Sequence, residues 1–277
     1  MPIPGSVNRT IGARGKSWRF RCNRDVVVLA FLVGVLALCT VIPTKGSETN
    51  LANRFRQPSL RHIFGTDQFG RDVASTIIKG TTWTIVLSIV CVLLAATIGI
   101  VLGLCTGLGP RRRIAALSVS DIVVCLPTFM VALMVMSAVG PGRLAVVAVL
   151  VGLGWTPYFR LTSQLVLSLS STQFAEAARA GGASPIRLLV RHILPNLAGQ
   201  LLALSAARVS HSIVAVSSLS FLGVGMPPPS MEWGALLASS QPYAERAPWS
   251  VLAPSLAIVV AATVSVLLGR RLQSRLA

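Results

Sequence analysis

The sequence predicts an all-α, polytopic membrane protein. It has six transmembrane helices, both termini in the cytoplasm, and one long cytoplasmic loop between spans four and five. Three observations predict this class. Of 277 residues, 53% are hydrophobic and only 12% charged, where a soluble domain carries roughly 25% charged residues. The apolar residues gather into blocks of about 17–26, and about 20 apolar residues cross a bilayer as a helix. Only helices and closed barrels satisfy their backbone in lipid, and the period-2 alternation of a barrel strand is missing.

Taken in order, residues 1–25 form a basic segment with six Lys and Arg residues. The first span is Val26 to Ile42, closed by Pro43. Lys45 and its neighbours offer no small-x-small cleavage site, so a cleavable leader is not expected. Residues 43–82 are a polar segment rich in Arg, Asn and Pro. Span two runs from Trp83 to Leu108 and ends at Gly109-Pro110-Arg111-Arg112-Arg113. Span three covers Ile114 to Val139, stopped by Gly140-Pro141-Gly142, and span four covers Leu144 to Phe159. The tight turns at 109–113 and 140–143 make spans two, three and four antiparallel neighbours. After a polar loop at 160–196, span five runs from Leu197 to Leu222. Span six runs from Val251 to Leu268, followed by a tail at 271–277.

Orientation follows from the cations. With the N-terminus inside, the inner segments hold 16 Lys and Arg and the outer ones 8, with Arg208 inside a span. Positive charge accumulates on the cytoplasmic side. The Arg111–Arg113 triplet against the lone Arg143 carries most weight, and it places the 160–196 loop in the cytoplasm.

That loop reads as two short helices. Thr172 caps the first, and Glu176 sits in its positive N-terminal dipole. Gly181-Gly182 end it by allowing left-handed backbone angles. Ser184 is a second N-cap with Pro185 at the first helical position, where a missing N–H costs nothing. Ile186 to Leu194 carry that helix to Pro195. Helix, glycine hinge and helix make a rigid knob at the membrane surface, suited to touching another protein.

The net charge of +17 lies beside the ends of apolar blocks, where cations set topology and meet anionic lipid headgroups. No basic stripe interleaves with aromatics, so nucleic acid is not an expected partner. Cys22, Cys39, Cys91, Cys105 and Cys125 show no CxxC and no His at metal spacing, so they read as packing residues and no metal site is expected. Neither a Gly-x-Ser-x-Gly nor an HExxH motif occurs, so the chain is not expected to be an enzyme.

Asp121 and Arg208 lie within spans, where ionisable groups are costly and face a pathway or a partner. Their depths differ by about 6 Å, within an Arg side chain's reach, which favours an ion pair between them. The rival readings are pairing with a second subunit or facing an anionic part of a cargo. His211 follows Arg208 by one turn and reads as a packing group or a third pathway candidate.

Glu176, Ala177, Ala178 and Arg179, then Gly182-Ala183, with Leu194-Pro195 beyond, resemble the signature loop of ABC importer permeases. Gly65-Thr66-Asp67-Gln68-Phe69-Gly70-Arg71-Asp72 resembles the Gly-Thr-Asp-x-x-Gly-Arg-Asp segment of the dipeptide, oligopeptide and nickel permeases. Ser218 to Gly225, Pro227-Pro228 and Trp233-Gly234 resemble their connection between spans five and six. Asp121, six residues before Pro127, also falls where that family has an Asp. The resemblance covers about residues 60–270, and it implies a permease core over 83–270.

In that family the Glu-Ala-Ala loop is a coupling helix docking on a cytoplasmic ATPase. The resemblance therefore implies a second, unlike permease subunit, two ABC ATPases, an extracytoplasmic substrate-binding protein and surrounding lipid. ATP and Mg would sit on the ATPases, since this chain has no Walker lysine motif and binds no cofactor of its own. The cytoplasmic (inner) membrane of a prokaryote is the implied location. Di- or oligopeptides are the implied cargo, with nickel, glutathione or haem-like compounds as alternatives. A channel or secondary transporter is the alternative of another class, though neither needs a docking knob. Gly65 to Asp72 reads equally as a turn leading into an amphipathic elbow near Asp72 or as a functional element, a contact for the binding protein or a gate at the outer mouth. Two positions depart from the family pattern. Val216 replaces an acid that precedes the Ser-Leu-Ser-Phe-Leu-Gly stretch, and Arg270 replaces the Asp after Gly269. The first removes the ground for recognising a peptide's amino group there.

Overall fold

Asp72 starts the first long helix of the described chain. Its carboxylate accepts hydrogen bonds from the Ser75 N–H at 2.9 Å and the Ser75 hydroxyl at 2.8 Å, satisfying a donor that a helix start leaves open. From there α1 runs over Val73–Cys105, 33 residues, beginning ten residues before the expected start of span two at Trp83. The computed structural model describes residues 48–106, 110–170, 194–227 and 230–276, together with positions 181, 184 and 189. The expected first span, Val26 to Ile42, lies outside the described residues.

The expected third span is not one rod. It forms α2 (Pro110–Cys125) and α3 (Thr128–Val139), bent by 91° at their junction. Pro127 has no N–H to donate, and it disfavours helical angles at the residue before it. The chain passes Pro127 with extended backbone angles before α3 starts. At the far end Gly140 donates its N–H to Met136 O at 2.8 Å, and its φ of +85° with ψ of 167° is a backbone conformation open essentially to glycine alone.

Span four also differs from expectation. Helices α4 (Arg143–Gly154) and α5 (Thr156–Ser170) form one 27-residue apolar helix over Arg143–Leu169. The helix therefore continues about ten residues past the expected start of the polar loop at residue 160, because partly buried Leu161, Leu165 and Leu169 pack against the core beside Val166. Helix α6 (Leu194–Phe221), a short α7 (Trp233–Ser240) and α8 (Pro248–Leu276) complete the order. Short 3-10 turns occupy Leu51–Asn53 and Gln241–Tyr243. Four of these helices are long and apolar enough to cross a membrane, or five if the bent pair is one span.

Helix α1 packs against α4, α5 and α6. Its Val92, Ala95 and Ala96 pack with Tyr158 and Val166 of α5 and Leu197 and Leu201 of α6. The approach is close: a Cβ on Gly99 would collide with the Trp155 carbonyl oxygen and with Tyr158, and one on Gly103 with Thr162. Small residues four apart let membrane helices meet backbone to backbone. A second cluster joins Ala132 of α3, Val146 and Val149 of α4, and Val216 and Leu219 of α6. Helix α7 is held by Trp233 and Leu236 against Ile213 of α6. Exposed Leu93, Val101, Val259 and Leu267 line the outward faces of α1 and α8, as a bundle bathed in lipid requires. Hydroxyls such as Ser88 and Thr97 bond the carbonyl four residues back, so they add no unsatisfied donor to the apolar phase.

Candidate functional site

The segment carrying Glu176, Ala177, Ala178, Arg179, Gly182 and Ala183 lies outside the described residues. Its two flanks are described. Helix α5 delivers the chain out of the bundle at Ser170, and α6 begins at Leu194. Between them Leu189 is 6% exposed and packs into the cluster of Val166 and Leu197. The returning chain is thus pinned to the same two helices, α5 and α6, that the loop connects.

The expected ion pair between Asp121 and Arg208 is not formed. Asp121 accepts from Arg160 Nη2 at 2.7 Å, while Arg160 Nε donates to Ser120 Oγ at 3.0 Å. The reason is the longer span four: with the helix continuing to Leu169, Arg160 is not a loop residue but sits partway along a rod beside α2. Arg208 is half-buried on α6, near the Tyr158 hydroxyl, and has no carboxylate partner among the described residues. His211 is exposed on the chain taken alone. The structure therefore brings Asp121 to Arg160 and leaves Arg208 and His211 apart from both.

The Gly65–Asp72 segment folds back on itself at one end of the bundle. Thr66, Asp67, Arg71 and Asp72 are all buried. Asp67 takes Arg71 Nε at 2.8 Å on one oxygen and the N–H groups of Phe69 and Arg71, each at 2.9 Å, on the other. His62 Nδ1 lies 3.1 Å from Asp72. Thr66 is locked by the Arg56 N–H at 2.8 Å, and its carbonyl accepts Trp249 Nε1 at 3.1 Å. Gly70, at φ +71°, leaves no room for a Cβ beside the Asn50 carbonyl. The segment braces the start of α1 against the start of α8.

One constellation was missed in the sequence. Glu232, 1% exposed, lies 3.5 Å from Arg143 Nε and accepts the Ser220 hydroxyl at 3.0 Å. Arg143 stacks its guanidinium on Trp83, 3.6 Å from the ring centroid. Two signals were there to be weighed: Glu232 is one of only eight acids, and Arg143 is a lone cation between two apolar blocks. Chemically the described residues offer positioning and ion pairing; no group of three or more His, Cys, Asp or Glu among them could hold a metal.

Comparison with known proteins agrees with a transport role for such a bundle. Residues 95–277 match the family model described as the binding-protein-dependent transport system inner membrane component. Over 271 residues, 97% of this chain and 91% of the relative, the sequence is 32% identical to a Brucella abortus protein named provisionally as a peptide transport system permease. It is 33% identical over 217 residues to the di/tripeptide transport system permease protein of Pseudomonas aeruginosa, covering 78% of this chain and 72% of that one. Over 256 residues it is 29% identical to the nickel transport system permease protein of Escherichia coli, covering 91% and 92%.

Proposed function

Because the chain belongs to the inner-membrane components of binding-protein-dependent transport systems, in their peptide and nickel branch, we propose that it is one of two unlike permease subunits of an ATP-driven peptide importer. The observation that carries this reading is the continuous helix Arg143–Leu169. It runs through the bundle to Leu169, seven residues before Glu176, and Leu189, beyond that segment, packs into the same core.

In this reading the N-terminus and the Glu176 loop face the cytoplasm, and the Gly65–Asp72 brace faces outward. Two separate ATPases hold ATP and Mg. Their closure displaces the Glu176 knob, and the displacement tilts spans four and five as a unit, in the rigid-body manner of alternating access. Cargo handed over by an extracytoplasmic binding protein then passes between this chain and the second permease. Peptide cargo is favoured by the relatives named for peptide transport. Nickel is the second reading, favoured by the relative named for it. Arg208, charged and free of a carboxylate partner among the described residues, is the best-placed intramembrane residue to meet either cargo or the second permease.

The test is recovery of the tagged chain from mild-detergent membranes, with mass spectrometry of what accompanies it. Two ATPases (or one used twice), a second permease and a binding protein are expected, and the ligand of that binding protein identifies the cargo. Recovery of the chain alone, with no ATPase even after crosslinking near Glu176, overturns the reading.

A further inference from the structure

We propose that Arg143 and Glu232 form a latch that holds span four against the connection between spans five and six, and that it opens in each transport cycle. The inference rests on the importer reading and adds to it a positioning pair.

The two halves of the contact are mounted differently. Glu232 is fixed. The next residue, Trp233, donates its N–H to Thr84 Oγ1 at 3.2 Å and its Nε1 to Ile77 O at 3.0 Å. A Cβ on Gly80 would collide with the Met231 carbonyl, and one on Gly234 with the Ser217 carbonyl. Residues 231–234 are thereby clamped between α1 and α6, and the carboxylate retains the Ser220 hydroxyl whatever Arg143 does.

Arg143 is carried by the other element, span four, whose Val146 and Val149 pack against Val216 and Val224. Arg143 is the first residue of the Arg143–Leu169 helix, a rod about 40 Å long at 1.5 Å per residue. From the rod's far end the chain continues toward the Glu176–Ala183 segment. The turn before Arg143 is joined to the opposing connection by the bond from Gly142 N–H to Val224 O at 2.9 Å. The Arg143 side chain is 37% exposed, so its charge can be taken up by water when it leaves Glu232 and the Trp83 ring of α1 on which it stacks. Stripping a buried carboxylate of its cation is costly, so the closed arrangement is restored after each opening. A tilt of the rod driven at one end separates the pair at the other, and by linkage the state of the latch biases the ATPases in return.

The test uses the whole complex, with both permeases and the ATPases, in lipid nanodiscs, and reads ATP hydrolysis with and without the binding protein. Arg143→Gln keeps a polar side chain but removes the charge. The expected result is normal abundance with hydrolysis in the absence of binding protein raised by about fivefold or more. Arg143→Lys keeps the charge and is expected to restore hydrolysis most of the way to wild type. Unchanged hydrolysis in Arg143→Gln overturns the latch, as does a fall in abundance with basal and stimulated rates reduced in parallel, which marks a merely structural contact. A wild-type complex that hydrolyses no ATP overturns the importer reading and the latch with it. Uptake of labelled Ala-Ala into proteoliposomes is read separately; its absence beside normal hydrolysis overturns the peptide cargo and leaves the hydrolysis result to decide the latch.

Discussion

Among single residues, Asp67 shows how a motif position becomes a mechanical part. Its two oxygens close a ring with Arg71 and the backbone of Phe69 and Arg71, and the Asp67 and Arg71 side chains are 5% and 4% exposed. Asp67→Asn leaves a buried guanidinium without its anion, a loss of about 3–5 kcal/mol. A clear drop in the thermal midpoint of the detergent-solubilised protein is expected. Asp121→Asn removes an acid that is 68% exposed and is expected to shift the midpoint less. Equal shifts would contradict the burial difference. The residue types in this segment were legible from the Gly-Thr-Asp-x-x-Gly-Arg-Asp resemblance. Their inward direction was not, because it depends on Trp249, nearly two hundred residues away in sequence.

At the level of the helix, hydropathy located the long apolar helices among the described residues and missed their ends and bends. It stopped span four at Phe159, where apolar residues become interspersed with polar ones, while a partly buried stripe of Leu161, Leu165 and Leu169 continued the helix. It drew span three as one rod, although Pro127 was in plain view; a proline marks a break, but the 91° turn is set by what each half packs against. The contact of α1 with α5 leaves no room for larger side chains. Gly99→Leu places a side chain where the Trp155 carbonyl and Tyr158 already lie. Overpacking costs about 1–3 kcal/mol even where only side chains must move, and here backbone must move as well. The expected outcome is loss of trypsin-resistant folded chain from membranes at unchanged synthesis. Wild-type resistance would mean that α1 and α5 stand further apart.

Across the whole molecule, the Arg143–Leu169 rod meets the Glu232 cluster at one end, and from the other the chain continues toward Glu176–Ala183, proposed above as the contact for the ATPases. Gly182→Leu is expected to uncouple the importer: cargo uptake falls by about tenfold or more while ATP hydrolysis by the assembled complex persists, since a coupling of 1–3 kcal/mol corresponds to 5–150-fold. The check is the ratio of cargo taken up to ATP consumed, at equal abundance. Normal transport by that variant would remove the hinge from the mechanism. The all-helical membrane class, the approximate order of the spans and the family resemblance were determined by the sequence alone, because hydrophobic length and turn chemistry are written locally along the chain. The choice of partners was decided only by the tertiary structure: Arg160 rather than Arg208 for Asp121, and Arg143 for a glutamate that the sequence reading passed over. A charge pair depends on where helices bend and how they are rotated against one another, and those angles are fixed by packing between segments far apart in sequence.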